Sequence, residues 1–113
     1  TNKMKNDIKF AYYDVNGGKV TAAFKLLGEA NSTDRTVEFA FSYCNPNDVK
    51  RFEKAKGRMI STNRLHCVRT KLSAPISLDY SGINESVYKQ VIKAIEPYIA
   101  VGLDREIQWM KTV

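Results

Sequence analysis

The chain has 113 residues, a length that fits a single domain, 1–113, with its own core. Hydrophobic residues make up 43% and charged residues 27%, a balance that excludes wholesale disorder, and no apolar run approaches the length of a membrane-spanning helix. The net charge of +6 and a pI near 9.4 point to a polyanionic partner: nucleic acid, nucleotide phosphates or an acidic surface.

In chain order, residues 7–14 are rich in aromatic and branched side chains and read as a strand. Asn16-Gly17 follows, the strongest short hairpin signal, because both residues tolerate positive φ. A second strand runs from Lys19 to Leu27. A third, Arg35 to Cys44, sets Val37, Phe39 and Phe41 on one face against Thr36, Glu38 and Ser42 on the other. Three such strands make an antiparallel meander with one buried face and one that is wet or covered.

Asn45-Pro46-Asn47-Asp48 reads as a helix start, with a capping Asn and a Pro at the first helical position. The helix it opens places Val49, Phe52, Met59, Ile60 and Cys67 on one side, with Lys56 and Asn63 inside that stripe. Either the helix bends near Gly57 or these polar groups face a site. The helical period fails after Leu65, and the chain as far as Tyr80 is expected to be extended, with Pro75 interrupting it.

Asn84 is the expected cap of a second helix, on which Tyr88, Val91, Ile92 and Ile95 share a face. Pro97 ends or kinks it, with one further turn before Gly102. In the tail, Ile107, Trp109 and Val113 alternate as in a strand, the preferred reading, while Asp104 offers a cap for a helix instead. The expected fold class is α+β: an N-terminal antiparallel β-meander followed by two main α-helices, with a C-terminal strand. The apolar face of the second helix is wider than one small sheet covers, which predicts a homo-oligomer.

Cys44 and Cys67 form no CxxC and read as reduced core residues, and with the single His66 they make a poor zinc set. No metal and no cofactor is expected. GxSxG, GxxxxGK[ST] and GxGxxG are absent, so catalysis is not expected either. A small enzyme using His66 or Cys67 is the third reading. The N-terminal residues lack an apolar core and a cleavage site, so no intact signal peptide is expected and the predicted compartment is the cytoplasm.

Cations concentrate between Lys50 and Lys71. On a helix, Arg51, Lys54 and Arg58 form one ridge and Lys50 and Arg64 a second, with Gly57 between them as a point of close phosphate approach. Six Tyr, five Phe and one Trp supply stacking faces, of which Tyr43, Tyr80, Tyr88 and Trp109 lie near element ends. The candidate ligand-binding residues are therefore Arg58, Asn63, Arg64, Tyr80 and Tyr88. The alternative is a nucleic-acid-binding or regulatory protein that uses the basic face as a phosphate track.

The segment Phe41-Ser42-Tyr43-Cys44-Asn45-Pro46-Asn47-Asp48, followed by Phe52, Gly57-Arg58 and Asn63-Arg64-Leu65, resembles a pattern in small bacteriophage proteins. The layout of a sheet and two helices is similar to that of the phage Thoeris anti-defence family. The resemblance implies a cytosolic sponge that binds, without cleaving, cyclic ADP-ribose isomers or cyclic oligonucleotides made as immune signals. It further implies dimers or larger assemblies, and a pocket of aromatic and arginine side chains to which Arg105, after the second helix, would contribute.

Overall fold

The computed structural model describes residues 8–15, 17–44, 53–83 and 85–102. Three strands open the fold: β1 (Lys9–Val15), β2 (Gly18–Leu27) and β3 (Asp34–Cys44). They pair antiparallel in sequence order, as their alternation predicts. Val15 faces Gly18 across the first turn, where Gly17 takes a φ of 82° that only glycine accepts readily. Helix α1 (Lys54–Leu65) follows, then strand β4 (Leu72–Ser77), which pairs antiparallel with β3 and completes the sheet order β1-β2-β3-β4. Pro75 sits in this edge strand, where its missing N–H costs no ladder bond to a further neighbour. Helix α2 (Val87–Ile95) continues through a 3-10 turn, Glu96–Tyr98, that contains Pro97, and residues 99–102 are again helical.

The fold is α+β, and the sheet carries a helix on each face. Val20, Ala22 and Phe24 of β2 and Val37, Phe39 and Phe41 of β3 point to one side, where they bury Val91, Ile95 and Ile99. Tyr98 packs its ring 5.4 Å from that of Phe39. The wide apolar face of the second helix thus lies on this chain's own sheet. Tyr13 of β1 fastens the same layer, its hydroxyl donating to the Ile92 carbonyl at 2.9 Å. Burial, followed by the nearby Glu96 charge, pushes that phenol well above its ordinary range.

The other face carries the intervening residues: Thr21 and Ala23 of β2, Ala40 and Ser42 of β3, and Phe10 of β1. It is covered by α1. The buried residues of α1 are Gly57, Ser61 and Leu65, spaced four apart. Met59 and Cys67 are exposed, and so are Lys56 and Asn63. The predicted stripe is therefore rotated: the helix buries Gly57 and Ser61, which carry little hydrophobic signal, together with Leu65, while Met59 lies outside the contact. Leu65, at the end of the helix, is 1% exposed.

Gly57 is not a bend. A Cβ built there would lie 2.5 Å from Thr21 Oγ1, so glycine is what lets the helix axis approach the sheet. The same contact fills the place where close phosphate approach was expected. Glu53, in extended conformation at φ −122° and ψ 122°, precedes Lys54, so no continuous helix runs from Pro46 to Leu65. Residues 45–48, Asn84 and the tail 105–113 lie outside the described residues. Among those described, Ser86 caps α2, its side chain accepting from the Lys89 N–H.

Candidate functional site

The contact between Gly57 and Thr21 fixes where the cations of α1 stand. Thr21 is paired with Tyr12 across β1 and β2, so the two side chains share the face that α1 covers. Lys54 and Arg58, one turn apart on α1, then reach the Tyr12 ring from two directions. Lys54 Nζ stands 4.7 Å from the ring centroid. Arg58 donates from one terminal nitrogen to the Tyr12 hydroxyl at 3.1 Å. Its other guanidinium donors have no partner among the described residues. A cation over an exposed ring is worth about 0.5–1 kcal/mol, enough to orient Lys54 without neutralising it.

Two residues further along β1 and on the same face, Asp14 pairs with Lys19 of β2 beside the hairpin turn. Tyr12, Tyr13, Asp14, Lys19, Val20 and Lys54 line an open depression of about 320 Å³. Its walls offer an aromatic ring, two ammonium groups and a carboxylate, with the Arg58 guanidinium at the Tyr12 hydroxyl.

Tyr88 approaches the same strand from the α2 side. Its hydroxyl donates to the Phe10 carbonyl, and its ring lies 5.8 Å from that of Phe24. Burial, followed by the nearby Tyr12 phenol, holds the Tyr88 hydroxyl above its usual range. Of the residues expected from sequence, Arg58 and Tyr88 thus both reach β1, Arg58 from α1 and Tyr88 from α2.

The others do not join them. Asn63 is exposed on α1. Arg64 is half-buried and donates to the Phe41 carbonyl at 2.9 Å, which makes it an anchor of the helix on the sheet. Tyr80 donates to the Ser32 carbonyl at 2.6 Å, in the loop between β2 and β3. That loop lies beyond Leu27, roughly 20 Å along β2 from Thr21 at about 3.3 Å per residue. Arg105 lies outside the described residues.

Tyr12, Asp14 and Lys19 were not singled out from sequence, whereas Lys54 was placed in the basic ridge with Arg58. The one signal that marks two of them is the cross-strand pair Asp14 and Lys19, which a two-residue Asn-Gly turn places opposite each other.

Cys44 and Cys67 are both free thiols, Cys44 half-buried and Cys67 exposed, so neither is the core residue expected. The Arg69 N–H, then the Thr70 hydroxyl, hold the Cys67 thiol below its ordinary range. Among the described residues no three His, Cys, Asp or Glu side chains gather as a metal site, and no helix is long and apolar enough to cross a membrane. In comparisons with known proteins, the chain matches no family model, no curated protein and no solved structure.

Proposed function

We propose that this protein binds and sequesters a nucleotide signal without turning it over, acting in the manner of the phage Thoeris anti-defence sponges on cyclic ADP-ribose isomers or cyclic oligonucleotides in the host cytoplasm. The observation that supports this reading is the clamp of Lys54 and Arg58 on the exposed ring of Tyr12, beside the depression. An aromatic face stacks a base, for about 1–3 kcal/mol, and guanidinium and ammonium groups hold phosphate oxygens. Charge-assisted hydrogen bonds contribute about 1.5–3 kcal/mol each, so a few of them with one stacked base approach the roughly −12 kcal/mol of nanomolar binding when the site is preorganised. The clamp provides that preorganisation, because Tyr12 is held before any ligand arrives.

The test is retention. The purified protein is incubated with cyclic ADP-ribose isomers and cyclic dinucleotides, separated from free ligand and heated, and the supernatant is analysed. Recovery of intact ligand from the parent, lost in Lys54→Ala and Arg58→Ala and kept in Lys56→Ala, supports the reading. A cleaved product overturns sequestration in favour of an enzyme. Binding confined to long DNA or RNA, weakening steeply with salt, gives the site to nucleic acid instead.

A further inference from the structure

Among the described residues, Asp14 is the one acid that lines a depression otherwise suited to an anion. Lys19 holds the carboxylate through Oδ1, and Oδ2 has no partner among the described residues. A phosphate placed beside that oxygen is repelled, whereas a neutral donor is attracted to it. The phosphate of any ligand therefore belongs toward Lys54 and Arg58, and an O–H or N–H group belongs at Asp14. Tyr12 and Asp14, two residues apart on one face of β1, are separated by about 7 Å along the strand, a spacing that suits a base on the ring and its own ribose at the carboxylate.

We propose that Asp14 is the specificity-determining residue of this site, its free carboxylate oxygen accepting a hydrogen bond from a ribose hydroxyl, so that the depression selects a ribonucleotide unit over a bare polyphosphate. This inference rests on the nucleotide-binding reading above. The volume of about 320 Å³ is at the lower end of small-molecule sites, roughly 300–1,000 Å³, and matches one nucleoside phosphate unit of a larger signal. Lys19 is the positioning residue: it engages Oδ1 and leaves Oδ2 to accept from a ligand.

The experiment titrates parent protein and Asp14→Ala with three probes, 5′-AMP, its 2′,3′-dideoxy analogue and inorganic pyrophosphate, by calorimetry in low salt. The parent is expected to prefer AMP over the dideoxy analogue by about tenfold, the effect of one charge-assisted hydrogen bond. In Asp14→Ala that preference falls to within about twofold, and pyrophosphate gains affinity because Lys19 is released and the repelling charge is gone. Thermal melts confirm that the variant folds. Equal binding of AMP and dideoxy-AMP by the parent overturns the role of Asp14 while leaving the nucleotide reading intact. So does full discrimination retained in Asp14→Ala. Failure of the parent to bind any of the probes removes both.

Discussion

Thr21 Oγ1 lies where only glycine at position 57 fits above it: a Cβ on Gly57 would stand 2.5 Å from that oxygen and 3.2 Å from Thr21 Cβ. Thr21 is 1% exposed, and its hydroxyl has no hydrogen-bond partner among the described residues. The helix is thus seated by shape, over a polar atom that gains nothing from the contact. Gly57→Ala is expected to lower stability by about 1–2 kcal/mol, since overpacking costs about 1–3 kcal/mol and the gain in helix propensity returns at most about 1. In a Thr21→Ala background the 2.5 Å clash with Oγ1 is gone and only the contact with Cβ at 3.2 Å remains, so Gly57→Ala is expected to cost less than it does in the parent. Urea denaturation of the four proteins of this cycle checks the coupling, and additive effects would show that the two residues do not meet.

Arg64 is expected to behave as a structural residue. Strand β4 pairs with β3 only as far as Phe39, and the guanidinium takes the Phe41 carbonyl two residues further on. Arg64→Ala should cost about 1.5–3 kcal/mol of stability, the range for a hydrogen bond to a charged group, while nucleotide retention per folded molecule stays at the parental level. Loss of retention at full stability would return Arg64 to the binding site.

These two residues show what the sequence carries and what it hides. The meander was legible because Val37, Phe39 and Phe41 alternate with polar residues at the period of a strand, and Asn-Gly marks the first turn. The face of α1 was not, because a contact made by Gly57 and Ser61 has almost no hydrophobicity to detect. Arg64 looked like any other surface cation, since a backbone carbonyl as its partner leaves no trace in the sequence. The site was half legible for a related reason. Arg58 stood out within a basic run, but its partner Tyr12 lies in another element 46 positions away, and only the seating of Gly57 on Thr21 brings them together.

Glu38 should set part of the acid sensitivity of the fold. Its carboxylate receives Lys71 at 2.8 Å and Lys25 at 3.6 Å, joining the start of β4 to the central strands. The hydrogen bond from Lys71 leads the effects that hold its carboxyl below the ordinary 4.5. With the folded value below the unfolded one, the carboxylate contributes stability that is fully present above about pH 4.5 and lost as pH falls through the lower folded value. Glu38→Gln is therefore expected to be less stable than the parent at pH 7, with the gap closing toward pH 3. Denaturation midpoints measured across that range check this, and a gap that does not change with pH would locate the effect in packing.

Tyr88 joins the site to the exposed edge of the sheet. Its hydroxyl donates to the Phe10 carbonyl of β1, which among the described residues has a neighbouring strand on one side only. Tyr88→Phe keeps the ring against Phe24 and removes only the donor, which should cost about 0.5–1.5 kcal/mol. It also leaves an edge carbonyl unpaired, and an open edge is a template for a strand from another molecule. The variant is expected to associate more strongly than the parent as concentration rises. Tyr80→Phe is the control, because it removes a comparable bond to the Ser32 carbonyl in a loop between strands. It should lose similar stability with no gain in association. Sedimentation velocity over a concentration series, run beside urea melts, separates the two effects. If Tyr88→Phe and Tyr80→Phe both sediment like the parent, the Tyr88 hydroxyl only braces α2 against β1 and does not guard the edge.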